Sequence, residues 1–254
     1  MKLNRAFVLS IALAGATPTL AAPTVAIQVG PLPVPPARVD MRQKAAEALL
    51  KIPVYAVISR RFPDTYGRIL DGISEGISAG KTIREIIVDV RPIYLDLLTR
   101  EGPKADAENT RALMILKRDI ANAALEKSPD ACLAFWGLAK GQPQWIREIP
   151  QRLAEQDLIV AAKVLEQTAV RPAEPAKPVA EDVMENLGNK VVDDLPSNEV
   201  RRDYYSMDGD LTKAQSPGEK RAACLYLTGM VNALLALPGD EGPELFRSLA
   251  SEHR

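Results

Sequence analysis

GISEGISAGKT, residues 72–82, is the stretch that decides between two classes of fold. A phosphate-binding loop follows a buried strand and has glycine, any four residues, then Gly-Lys-Ser/Thr. Here only three residues separate Gly76 from Gly80-Lys81-Thr82, and Glu75 holds the position that the first glycine requires. The preceding FPDTYGRILD is polar and helix-like rather than strand-like. The stretch therefore does not predict a nucleotide site in an α/β fold.

The same residues predict a corner between two helices. Gly72, Gly76 and Gly80 are four residues apart, so they share a helix face and let a neighbouring segment come close, at about 1 kcal/mol each relative to alanine. Gly80 suits the position just after a helix, and Thr82 with Glu85 forms the Thr-x-x-Glu pattern that begins the next one. The apolar residues of the first helix fall on one face: Ile69, Ile73 and Ile77.

Apolar residues recur at spacings of three and four along most of the chain, which is typical of α-helices. Proline and capping residues predict where helices start: Asp40 as an N-cap, Pro53, Pro63, Ser128-Pro129-Asp130, Pro150, and Ser216-Pro217-Gly218-Glu219. Pro92 is expected to kink the helix from Ile83 to Leu98 or to split it at Arg91. Strand-like alternation of useful length is absent from the sequence. The predicted fold class is therefore all-α, a multi-helix bundle joined by Pro/Gly turns.

The distribution of proline predicts how the chain is organised. Residues 22–39 are too rich in proline for helix or central strand, so they are predicted to be an extended leader. Residues 40–254 are predicted to be one helical domain, with a semi-rigid connector at 170–182. Residues 183–213 are weakly patterned and predict no helix boundary. A last helix is predicted over 241–251, after Pro238-Gly239.

The first residues have the layout of a secretory signal peptide. Lys2 and Arg5 precede a short apolar run and then small residues up to Ala22. The apolar run is shorter than the about 20 residues that a membrane span needs. We expect cleavage after Ala21, which makes residues 1–21 the signal peptide. A cut after Ala22, or an uncleaved first helix, is the alternative.

The chain has two cysteines, Cys132 and Cys224, and in an exported protein an even number favours a disulfide. Each lies on the apolar stripe of a helix opened by Ser-Pro, so we expect the two stripes to face each other. The chain-entropy model gives such a long loop about 4 to 5 kcal/mol of stabilisation. If the protein is not exported, two buried free thiols are the alternative.

Charge excludes some partners. The sequence has 32 basic and 33 acidic residues, and it has no second long apolar run after the signal peptide. This balance favours neither nucleic acid nor anionic lipid as a partner. We expect an exported protein, periplasmic or extracellular, that does not span a membrane.

Histidine and cysteine are too few for most catalytic sites. His253 is the single histidine and lies one residue from the end of the sequence, where a general base is poorly held. Catalytic triads and zinc sites built on histidine are therefore not expected, nor is any cofactor or metal. Carboxylate pairs occur on predicted helix faces, and solvated helix surface is the favoured interpretation of both: Asp89 with Asp96, and Glu181 with Glu185.

Three other motifs are ambiguous. SMDGDLT, residues 206–212, resembles part of a calcium loop, but Gly209 separates Asp208 from Asp210, so an Asx-type turn is favoured. The adjacent tyrosines, Tyr204 and Tyr205, predict one packed and one solvated ring, with an exposed contact patch as the alternative. The basic doublets are predicted to lie on helix surfaces or at helix ends, with anion or partner binding as the alternative: Arg60-Arg61 and Arg201-Arg202.

The sequence favours a non-enzymatic, exported helical protein that binds a protein or a component of the bacterial cell envelope. An inhibitor or immunity-type protein is a specific version of this hypothesis. A carboxylate-dependent cell-wall hydrolase or lyase is the first alternative, although no glutamate is followed by the serine typical of lytic transglycosylases. A carrier of an apolar ligand between helices is the second.

Overall fold

The computed structural model describes residues 36–138 and 149–251. These two ranges contain eleven α-helices and no strand, so the all-α prediction is confirmed. The predicted signal peptide and His253 lie outside the described residues. None of the described helices is both long enough and apolar enough to cross a membrane.

The described helices are numbered in the order in which they occur along the chain. In chain order they are α1 Pro36–Leu49, α2 Pro53–Arg61, α3 Pro63–Ser78, α4 Ile83–Glu101, α5 Ala107–Lys127, α6 Pro129–Phe135, α7 Gln151–Val170, α8 Glu181–Asp193, α9 Asn198–Tyr205, α10 Pro217–Leu235 and α11 Glu241–Ser251. Two 3-10 turns accompany them, at Gly102–Lys104 and Leu211–Lys213.

The chain divides into two compact units, with the boundary inside α4 between Leu97 and Leu98. The single domain expected over residues 40–254 stays a prediction, because a boundary between compact units is not by itself a boundary between domains that fold independently. Both cysteines lie in the second unit, so the disulfide between them does not link the second unit to the first.

In the first unit, α3 packs against α1 and α2. Its core includes four almost fully buried side chains: Val54, Ile58, Ile69 and Leu97. Two polar contacts join α1 to α3. Arg42 Nε donates to Asp71 Oδ1 at 2.9 Å, and the Tyr66 hydroxyl donates to the Ala46 carbonyl at 3.2 Å. Apolar burial therefore builds this unit, and two polar side-chain contacts join α1 to α3 within it.

The corner between α3 and α4 has the predicted geometry. Gly80 has φ of 70°, its N–H donates to the Ile77 carbonyl at 3.0 Å, and the Lys81 N–H donates to the Gly76 carbonyl at 3.0 Å. These two bonds form the Schellman motif that ends a helix. Thr82 N donates to Glu85 Oε2 at 2.8 Å and Glu85 N donates to Thr82 Oγ1 at 3.3 Å. The predicted capping box is confirmed.

The glycine stripe of α3 faces side chains of α4. A Cβ atom at Gly72 would lie 2.9 Å from Val90 Cγ1, and one at Gly76 would lie 2.5 Å from Ile86 Cγ1. Real Cβ contacts are longer, so the absence of side chains lets the two helices pack closely. The predicted isoleucine face is only partly buried, because Ile77 is 40% exposed.

One predicted helix start is wrong, and one of the two outcomes expected at Pro92 is excluded. Helix α1 begins at Pro36, four residues inside the predicted leader, so Asp40 lies within the helix instead of capping it. Proline fixes a helical φ and needs no partner for a missing N–H, which makes Pro36 a better start. The split at Arg91 is also wrong, since α4 continues through Pro92. Proline removes one backbone bond, and burial of the α4 side chains offsets that loss: Ile86, Val90, Tyr94 and Leu97.

The second unit is built around α5, which contacts α6, α7, α10 and α11. Fully buried residues from α5 and α10 form the centre of its core: Met114, Ala121, Ala124, Leu227, Val231 and Leu234. The region that the sequence left without boundaries holds α8 and α9. Helix α11, Glu241–Ser251, matches its predicted range.

The Cys132–Cys224 disulfide is present, and both cysteines are fully buried. Ser128 caps α6 through the Ala131 N–H at 3.0 Å, and Ser216 with Glu219 forms the predicted capping box of α10. Close to the disulfide, Lys220 Nζ contacts Asp130 Oδ1 at 2.6 Å. Helices α6 and α10 therefore begin side by side, and the bond fastens their apolar stripes together.

Candidate functional site

The structure places the first predicted carboxylate pair on a helix surface. Asp89 and Asp96 are both exposed on α4, and Asp89 Oδ2 lies 2.7 Å from Lys81 Nζ. The hydrogen bond from Lys81 to Asp89 raises the pKa of that lysine. The lysine of the loop-like GISEGISAGKT stretch is thus engaged in an ion pair within its own helix corner.

The second pair lies on α8. Glu181 is the first residue of this helix and Glu185 is half-buried one turn later. Across residues 36–138 and 149–251, no group of three or more histidine, cysteine, aspartate or glutamate side chains is placed to hold a metal ion.

SMDGDLT forms the Asx-type turn that the sequence favoured. Asp208 and Gly209 have φ of 50° and 71°, and Asp210 Oδ1 accepts hydrogen bonds from Thr212 N at 3.1 Å and Thr212 Oγ1 at 2.6 Å. Asp210 thereby caps the 3-10 turn Leu211–Lys213. The carboxylate that could have bound calcium holds the backbone instead.

Tyr204 and Tyr205 divide as predicted, with one ring packed and one solvated. Tyr204 is 3% exposed and Tyr205 is 58% exposed. Their rings meet edge to face, with centroids 5.7 Å apart and an interplanar angle of 72°. Such edge contacts are favourable for aromatic rings, so Tyr204 supports Tyr205 at the end of α9.

Tyr204 is in turn fixed by Tyr226 of α10. The two ring centroids are 4.8 Å apart, and a side-chain hydrogen bond joins the two phenols. Burial raises the pKa of both phenols, so both are neutral near pH 7. Gly188 leaves room for this pair, since a Cβ there would lie 3.0 Å from the Tyr226 hydroxyl oxygen. The exposed ring of Tyr205 therefore rests on a rigid buried pair.

No family model, curated protein or solved structure matches this chain. Sequence reasoning singled out Tyr204 and Tyr205 but missed Tyr226, because only the packing of α9 against α10 brings it to them. Tyr226 lies two residues after Cys224, which is not on the same helix face, so the apolar stripe of α10 did not indicate its burial.

The basic doublets lie on helix surfaces or at helix ends, as predicted. Arg60 and Arg61 occupy the last turn of α2, where positive charge is favourable. Arg201 donates to the carbonyls of Asp193 at 2.9 Å and Leu195 at 3.3 Å, which closes the end of α8. Arg201 therefore holds backbone carbonyls, and Arg202 remains exposed on the helix that carries Tyr205.

Lys117 on α5 is a polar residue that sequence reasoning missed. It is half-buried, and its Nζ lies 5.7 Å from the centre of the Phe135 ring. Desolvation lowers the pKa of Lys117, and the negative charge of Asp157 opposes that shift. The aromatic face and Asp157 both favour the charged ammonium. Lys117 of α5 therefore packs against the Phe135 ring of the neighbouring helix α6.

Proposed function

We propose that this chain is an exported, non-enzymatic helical protein that binds a protein or another component of the bacterial cell envelope through the surface around Tyr205. The observation that carries the proposal is the exposed ring of Tyr205 on the buried Tyr204–Tyr226 pair. Tyrosine supplies a large contact area at little cost in conformational entropy, and it is enriched among the residues that dominate binding energy.

Two features support export. Residues 1–21 have the layout of a signal peptide. The Cys132–Cys224 disulfide is typical of proteins outside the reducing cytosol. A rigid helical unit with one supported aromatic side chain also suits an inhibitor or immunity-type protein, because such a side chain can fill a cleft of its partner.

The test compares wild type with Tyr205→Ala in a cross-linked pull-down from the envelope fraction of the producing cell. We expect wild type to recover one specific partner and Tyr205→Ala to lose it, because the ring that fills the partner's pocket is gone. Val170→Ala is the matched control, since Val170 is also exposed, at 61%, but lies at the end of α7. Circular dichroism should show that both variants stay folded.

Two results would contradict the proposal. One is a partner retained equally by Tyr205→Ala and wild type. The other is turnover of purified peptidoglycan by the folded protein that is abolished by a single substitution, such as Asp89→Asn. That result would establish the carboxylate-dependent enzyme instead.

A further inference from the structure

In the connector between α7 and α8, proline occurs at every third residue. Residues 172–180 are neither helix nor turn, and they contain Pro172, Pro175 and Pro178. Each proline fixes its own φ and keeps the preceding residue extended. Ala180 has φ of −67° and ψ of 136°, close to polyproline II geometry. A polyproline II helix has three residues per turn. Prolines that are three residues apart therefore lie on the same side of it and form a single ridge.

Exposure along the connector repeats with the same period. The three prolines of this proline ridge are exposed, and so are the charged residues beside them: Arg171, Glu174 and Lys177. The residues that directly follow the three prolines are half-buried: Ala173, Ala176 and Val179. Val179 packs against the core of the second unit. One face of the connector is therefore seated on the protein, and the other two face solvent.

Hydrogen bonds fix the connector in place. Arg247, only 3% exposed, donates through Nε to the Pro103 carbonyl at 3.0 Å and through Nη2 to the Glu174 carbonyl. The Ala173 N–H donates to the Lys104 carbonyl at 2.8 Å. The segment is thus ordered before any partner binds, which lowers the entropic cost of binding.

We propose that the proline ridge is a recognition surface for a protein domain with an aromatic-lined groove of the kind that binds PxxP segments. Pro172 and Pro175 have the PxxP spacing, and the exposed Lys177 follows two residues later. The charged face carries two cations and one anion, so the groove that fits it has carboxylates beside its aromatic rings. This role is separate from that of Tyr205, because the two surfaces share no residue.

An SH3 domain supplies a probe with this groove chemistry. The full chain is titrated into the ¹⁵N-labelled domain, and chemical shifts of the domain are followed by NMR. We expect shifts confined to its aromatic groove. Pro172→Ala/Pro175→Ala/Pro178→Ala should weaken binding by at least about tenfold, since the groove reads the proline rings. Pro196→Ala, at an exposed proline outside the ridge, should bind as wild type does.

A second variant keeps the test decisive if the triple variant does not fold. Lys177→Glu leaves the backbone and the prolines unchanged, so it should weaken binding through charge repulsion while circular dichroism stays as in wild type. Tyr205→Ala should bind the domain normally, which separates this inference from the proposed envelope partner. The absence of shifts in the groove, or equal binding by wild type and Lys177→Glu, would overturn the inference.

Discussion

At the scale of single residues, many polar side chains hold the ends of helices. Glu219 is the clearest case, since its carboxylate accepts hydrogen bonds from Ser216 N at 2.8 Å, Gln215 N at 2.9 Å and Ser206 Oγ at 3.1 Å. The backbone bonds from Ser216 and Gln215, with the Ser206 hydroxyl, lower the pKa of Glu219 to about 2. A negative charge at a helix N-terminus is favourable in addition.

The first prediction concerns the pH dependence of this cap. Because the folded-state pKa of Glu219 lies below its ordinary value of 4.5, its charge stabilises the folded state above pH 4.5, and this contribution is lost as the pH falls toward about 2. Glu219→Gln keeps the acceptor oxygen and removes the charge. We expect the free energy of unfolding at pH 7 to be larger for wild type than for Glu219→Gln. The difference between the two proteins should become smaller as the pH falls below 4.5.

Urea unfolding followed by circular dichroism at several pH values measures that gap. A difference that stays constant from neutral pH down to the acid range would show that the charge of Glu219 does not contribute.

Local patterns made these caps predictable from sequence. Thr82 with Glu85 and Ser216 with Glu219 are three residues apart, so the pattern itself contains both partners of each hydrogen bond. The Tyr204–Tyr226 pair could not be predicted, because its members come from different helices. The sequence therefore predicted that one tyrosine of the Tyr204-Tyr205 doublet is exposed. It did not predict the buried Tyr204–Tyr226 pair that supports Tyr205.

At the scale of elements, helix starts were predicted well where proline or a capping residue marks them. The wrong start at Asp40 has a local cause, because Pro36 is a better first residue for the helix. The continuation of α4 through Pro92 has a tertiary cause, because a proline inside a helix costs roughly 3 kcal/mol and burial of the α4 face offsets that cost. Whether that burial occurs depends on neighbouring helices, which the pattern of one segment does not contain.

The second prediction tests the close packing of α3 on α4. Gly76→Ala places a Cβ 2.5 Å from Ile86 Cγ1. Overpacking costs about 1 to 3 kcal/mol, while the better helix propensity of alanine returns about 1 kcal/mol. Ile86→Ala removes the colliding atom. We therefore expect the double variant to lose less stability than the sum of the two single variants, by at least about 0.5 kcal/mol.

Chemical denaturation of the four proteins of this cycle gives the coupling. Gly102→Ala is the control, because a Cβ there meets nothing within 4 Å, and we expect its stability to change by less than about 1 kcal/mol. Additive losses at Gly76 and Ile86 would contradict the packing argument.

At the scale of the whole molecule, the sequence predicted the all-α class and the disulfide but not the arrangement of the helices. Periodicity marks which face of a helix is apolar, and it does not say which other face will cover it. The cysteines were the exception, since a covalent bond between two stripes specifies one contact. That contact brings α6 against α10, while the central position of α5 became visible only in the structure.

The last prediction is the contribution of that bond. Cys132→Ala/Cys224→Ala frees two residues that are 92 positions apart, which raises the entropy of the unfolded chain and should cost about 2 to 5 kcal/mol. Tryptophan fluorescence during urea unfolding is a suitable measurement, because Trp136 and Trp145 both belong to the part of the sequence after Leu98. Reduction of wild type should reproduce the loss and leave the variant unchanged.

Lys220→Ala separates the covalent bond from the ion pair beside it. Lys220 and Asp130 are partly exposed, so their contact at 2.6 Å should contribute at most about 1 kcal/mol. If Lys220→Ala cost as much as loss of the disulfide, the charged contact rather than the bond would hold α6 against α10. If neither change altered unfolding, the apolar stripes alone would be sufficient, and the disulfide would reflect the compartment of the protein rather than its stability.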